Sequence, residues 1–146
     1  MQLTSYDKDI VVWAKEQAKL LRMGKFSEID IENIAEEIED VGKSEQRELA
    51  SRMAVLIMHL LKWAYQSERR SKSWIHTIKI QRKSILKRIE KTPSLAPMLD
   101  ESEWIEDIWG DAVIAASKET GIGSDFFPSE CPWPLAEVLK EGWLPD

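Results

Sequence analysis

Arg52 and His59 lie seven residues apart in a stretch that reads as helix. At about 100° per residue, seven steps fall roughly 20° short of two full turns, so the two side chains share a face. A histidine can give or take a proton near neutral pH, and an arginine beside it can stabilise the charge of a phosphate. That pair resembles the working residues of helical-bundle ribonucleases and makes a metal-independent endoribonuclease the alternative reading of this chain. The first reading is structural. The apolar run Met53 to Leu61 around His59 is core sequence, which predicts an imidazole bonded inside the bundle and an Arg52 turned to Glu45 and to Glu48, four residues before it.

A second candidate pair is Glu37 and Arg82. Glu37 falls between Ile34 and Val41 along an apolar seam, and Arg82 borders Ile78 and Ile85. A carboxylate at the edge of a core needs a partner, and a guanidinium offers a fork of donors, so a structural Glu37–Arg82 ion pair is expected.

Other chemistries have thin support. The two histidines, His59 and His76, fall on different predicted helices, which leaves few ligands for a metal, and none is expected. No Gly-rich phosphate loop or nucleophile elbow is present, and Cys131 sits among prolines without a neighbouring base, so no cofactor is expected. A lone cysteine closes no intrachain disulfide, which fits a reducing compartment. The charged start, with Asp7, Lys8 and Asp9, lacks the apolar region of an export signal, and no apolar run approaches the roughly 20 residues of a membrane span. The expected location is the cytoplasm, with no membrane partner.

Charge is unevenly placed. The net value is −6, yet Lys62 to Lys91 holds ten basic residues against Glu68 and Glu90, a balance of +8 that leaves −14 for the rest. Arg69, Arg70, Lys72, Lys79, Arg82, Lys83, Lys87 and Arg88 could form a phosphate track for nucleic acid. The competing account is internal: nine acids against Lys43 and Arg47 between Glu28 and Glu48 make an acidic stretch that a basic helix can complement. The overall negative charge favours the second account, with another protein as the partner.

The elements that would position these residues are helical. With 146 residues, 43% of them hydrophobic and 32% charged, the chain can bury a core as one domain spanning 1–146. Apolar residues recur at helical spacing in four segments, and no stretch alternates as a strand does. The first runs from about Asp7 to Met23, with Gly24 as its stop. The second begins at Asp30 and continues to Ser67, with Ile31, Ile34, Ile38 and Val41 as a seam and Gly42 as a point where it could bend or end. A third starts near Ser73 and stops at Thr92-Pro93, and a fourth spans about Asp100 to Thr120. Trp13, Leu56, Leu60, Trp63, Trp74, Ile78 and Ile85 are expected in one core. The proline-rich tail after Ser124, with Phe126, Phe127, Trp133 and Trp143, is expected to pack onto the bundle and to carry a short helix at Leu135 to Lys140.

His59-Leu60-Leu61-Lys62-Trp63, with Trp74, Arg82, Pro93-Ser94-Leu95, Phe127-Pro128 and Cys131-Pro132, resembles a bacterial family catalogued as domain of unknown function number 29. The resemblance runs from Tyr6-Asp7 and Trp13 to the Cys131-Pro132 tail. It implies a helical bundle without an assigned activity, acidic family positions at Asp30 and Glu37, and Trp109 where a tyrosine is more usual. The expected architecture is all-α, a compact bundle of four main helices with a long second helix. The expected function is an interaction or accessory module without catalytic activity.

Overall fold

The computed structural model describes residues 3–146, and every regular element among them is helical. The main helices are α1 (Ile10–Arg22), α2 (Ile31–Tyr65), α3 (Lys72–Lys91) and α4 (Ser102–Thr120), with a short α5 (Leu135–Val138) in the tail. Short 3-10 segments join them. The 35-residue α2 passes through Gly42 as one helix, because a single interior glycine costs only about 1 kcal/mol and the next proline is far downstream. None of the helices is long and apolar enough to cross a membrane among the described residues. The chain divides into two compact units, one up to Glu45 and one from Gln46 to Asp146.

In the first unit, Asp9 caps α1 by accepting the amide of Val12 at 3.2 Å, and Gly24 ends it with φ of 72°. Only Trp13 and Gln17 of α1 are buried. Both bond to Asp30, just before α2: the Trp13 indole donates to its carboxylate at 3.0 Å, and the Asp30 amide donates to Gln17 Oε1 at 2.7 Å. The same carboxylate accepts Asn33 Nδ2 at 2.8 Å and the Asn33 amide at 3.4 Å. These polar bonds tie α1 to the residue that precedes α2. The seam expected to face a core is open instead: Ile31, Ile38 and Val41 are 66%, 67% and 66% exposed. Asn33 bonds Asp30 and Glu37 bonds Tyr6, whereas Ile31 and Ile38 stay at the surface.

The second unit holds an apolar core. Leu49, Met53, Leu56 and Leu60 of α2 follow one another at spacings of four, three and four, and all are fully buried. They pack with Ile78 and Ile85 of α3 and with Ile108, Ala112 and Ala116 of α4. Trp13 is absent from this cluster because it belongs to the first unit. Trp63 and Trp74 are also displaced from it, each half-buried under a cation: Arg70 lies 4.7 Å over Trp63 and Lys62 lies 4.8 Å over Trp74. An indole at the rim keeps its face for such contacts, which the apolar periodicity of the sequence does not foresee.

Helix ends mostly follow local chemistry. Ser71, not Ser73, caps α3 by accepting the Trp74 amide at 3.3 Å, and α4 begins at Ser102. Thr92 and Pro93 close α3, and Gly121, with φ of 77°, closes α4. The tail is packed: Phe127, Leu135, Val138 and Leu139 are buried in the core, whereas Phe126 stays 76% exposed.

Leu60 has no exposed surface, so Leu60→Ala should lower unfolding free energy by about 2 to 5 kcal/mol in chemical denaturation. A loss below about 1 kcal/mol would mean that the interior of this unit is loosely packed.

Candidate functional site

Arg52 and His59 occupy the face predicted for them, but each is engaged within its own helix. Arg52 Nε donates to Glu48 Oε1 at 3.0 Å, and the same carboxylate oxygen receives Arg88 Nη2 from α3 at 3.4 Å. His59 Nδ1 lies 2.9 Å from the Val55 carbonyl one turn earlier, and the ring is half-buried rather than interior. The rest of the His59-to-Trp63 string is structural in a legible way. Leu60 and Leu61 fill the core, Lys62 reaches Glu119 of α4 at 2.7 Å, and Trp63 carries Arg70, whose Nε donates to its carbonyl at 2.8 Å. The Lys62 bond is the main reason that the Glu119 carboxyl is held below its ordinary value, with the positive field of His59 adding to it against desolvation.

The expected Glu37–Arg82 pair is not what these residues form. Glu37 accepts a short hydrogen bond from the Tyr6 hydroxyl, and the Tyr6 ring stands edge-on to Trp13 at 4.8 Å. Thirty-one residues separate Tyr6 from Glu37, so no local spacing announces the bond. The Asp30 carboxyl is held below its ordinary value first by Asn33 and then by Trp13, with burial opposing. Asp30 thus ties α1 to the start of α2, and Glu37 ties α2 to the turn before α1.

Arg82 is 5% exposed and bonds to backbone. Nε donates to the Val138 carbonyl at 2.9 Å and Nη2 to the Trp143 carbonyl at 2.7 Å, tying the tail to α3. Burial lowers its pKa from the ordinary value while the nearby charge of Glu141 raises it. A glutamate was expected because a buried cation calls for an anion, but two carbonyls placed by the tail satisfy the same fork of donors. Every residue carries a carbonyl, so sequence gives no sign of which ones converge. Trp109 plays a related part, donating from Nε1 to the Pro128 carbonyl at 2.9 Å and packing edge-on against Trp133.

The docked tail completes a groove of about 610 Å³ along α3. Ile75, Ile78 and Leu86 form its apolar floor with Leu144 from the tail, and Lys79, Lys83 and Lys87 rim it. Glu141 and Gly142 close the tail side. The rim lysines follow at intervals of four and so project from adjacent turns. Of the eight basic residues read as a phosphate track, Arg70, Arg82 and Arg88 are committed to protein partners. What remains along the groove is an edge of three lysines on an apolar trough, with Glu90 and Glu141 also in its lining.

Other candidate groups do not converge. No group of three or more His, Cys, Asp or Glu side chains suited to a metal ion occurs among the described residues. Burial pushes the Cys131 thiol above its ordinary value, and its Sγ donates to the Trp133 carbonyl at 3.3 Å, so it sits as a packed thiol.

A family model described as Domain of unknown function DUF29 matches residues 5–144. The chain belongs to that family. No curated protein and no solved structure matches it. The family match covers both units, so the Tyr6–Glu37 bond, the Arg82 clamp and the α3 groove all fall within the shared domain.

Two outcomes follow from these bonds. Arg82→Met leaves the Val138 and Trp143 carbonyls without donors and should cost about 2 to 4 kcal/mol in denaturation, with faster proteolysis of the tail; an unmoved midpoint would show that the clamp is dispensable. Tyr6, bonded to a carboxylate, has its pKa pushed up from 10.0 to about 12, first by the Glu37 hydrogen bond. A raised folded-state pKa means that this bond's contribution is whole below pH 10 and is lost as pH climbs towards 12. In a Tyr65→Phe background, absorbance titration of the remaining tyrosine should show this late ionisation, and Glu37→Gln should bring it earlier.

Proposed function

We propose that the chain is a protein-interaction module whose docking surface is the groove along α3. The observation that carries this reading is an apolar floor rimmed on one side by three lysines. A trough of this kind suits an amphipathic helix that lays apolar residues on the floor and presents acids to the rim, the helix-in-groove mode of recognition. From Ile75 to Leu86 the floor extends about 17 Å at 1.5 Å per residue, enough for three turns of a docked helix. The rim lysines steer an acidic partner and select against a basic one. Commitment of Arg70, Arg82 and Arg88 to internal bonds supports a protein partner over nucleic acid, because a phosphate track needs its cations free.

The test uses a labelled helical peptide with isoleucines at i, i+3, i+7 and i+10 and glutamate flanks, alongside a lysine-flanked version and a single-stranded RNA oligonucleotide. The acidic peptide should bind, and Lys83→Glu with Lys87→Glu should raise its Kd at least about tenfold, equivalent to roughly 1.4 kcal/mol. Equal binding of the lysine-flanked peptide, or RNA binding abolished by the same substitutions, would overturn the reading.

A further inference from the structure

The chain itself contains a helix of the kind that the groove would take. Ile31, Ile34, Ile38 and Val41 recur at intervals of three, four and three on α2, and three of the four are about two-thirds exposed. Glu32 and Glu39 follow Ile31 and Ile38 at the same seven-residue spacing, so both acids edge the apolar face on one side. Contiguous aliphatic surface at that exposure is unusual on a chain that acts alone. From Ile31 to Val41 the face extends about 15 Å, close to the 17 Å of the groove floor.

We propose that the occupant of the groove is a second copy of this chain, which docks the Ile31–Val41 face of its α2 against Ile75, Leu86 and the rim lysines of the first. The proposal rests on the groove being a helix-docking site and names its partner. Charge complementarity selects the pairing. Two copies meeting through the α2 faces would set Glu32 and Glu39 against their own kind within a stretch of nine acids and two bases, and two copies meeting through α3 would oppose lysines. Face against groove places acid opposite base and aliphatic opposite aliphatic. Each copy offers one face and one groove, so the pairing is isologous and closes as a dimer where two contacts are reciprocal, and heterologous, extending to longer assemblies, where they are not.

Sedimentation equilibrium of the full chain over a micromolar range tests this directly. The wild type should associate, and added salt should weaken the association because exposed charge pairs are screened. Glu32→Lys with Glu39→Lys should raise the dissociation constant at least tenfold, and so should Lys79→Glu with Lys83→Glu in a separate chain. An equimolar mixture of the two variants should associate again, as should one chain carrying all four changes, because the reversed charges again meet their opposites. Recovery of this kind also excludes misfolding as the cause of the single losses. A wild type that stays monomeric, or variants whose mixture does not recover, overturns the proposal. A monomer that still captures the acidic helical peptide would overturn self-pairing alone, whereas failure to bind that peptide as well would remove the docking reading with it.

Discussion

A buried guanidinium must find acceptors for a planar fork of donors, and in the larger unit Arg82 meets that demand with the backbone of the tail. Much of the surface there depends on this. Val138, fully buried, and Trp143 are brought onto α3 by their own carbonyls, and Leu144 and Gly142 are thereby placed beside Ile78 and Leu86. Without those carbonyls the desolvated charge would be costly, and without the charge the tail would have only its apolar contacts to set its position. The same residue therefore secures the end of the chain and forms the boundary of the groove.

The smaller unit is organised on another principle. Tyr6, Trp13 and Gln17 come from one side, Asp30, Asn33 and Glu37 from the other, and the helices meet through hydrogen bonds with an aromatic pair set among them. Directional bonds fix the rotation of α2 about its own axis. With Glu37 engaged by Tyr6 and the helix start held through Asp30, the helix leaves Ile31, Ile38 and Val41 at the surface. An amphipathic helix turned this way leaves an apolar side for a further surface to cover, which agrees with the interaction reading proposed from the α3 groove.

Charge segregation links the two surfaces to that reading. Part of the basic excess of α3 is absorbed within its own unit, through Arg88 on Glu48 and Arg82 on the tail, and Arg70 is stacked on Trp63. The lysines of the groove rim are left at the surface, beside apolar residues rather than in a continuous cationic strip. The acids of α2 stand in the corresponding relation to Ile31 and Ile38. The groove sets three lysines along one edge of an apolar floor, with Glu90 and Glu141 elsewhere in its lining. The α2 face sets Glu32 and Glu39 along one edge of its aliphatic residues, and opposed edges of this kind are what the proposed pairing uses for selectivity.

Local sequence determined the helices of this protein and most of their limits. The period of Leu49, Met53, Leu56 and Leu60, the stops at Gly24, Thr92-Pro93 and Gly121, and the capacity of α2 to run through Gly42 all follow from residue types and neighbours within a few positions. Periodicity also found the seam at Ile31, Ile38 and Val41, and the i, i+4 bond from Arg52 to Glu48 follows from spacing alone. Tertiary structure decided which side of each helix met which neighbour. That choice turned the seam outward, put Trp63 and Trp74 at the rim under Arg70 and Lys62, and gave Glu37 to Tyr6 and Arg82 to two carbonyls. The reason is that a hydrophobic pattern specifies that a face be covered without naming what covers it, and backbone acceptors leave no mark in sequence. The groove could not be read in advance for the same reason, since one wall belongs to α3 and the other to a tail more than fifty residues away.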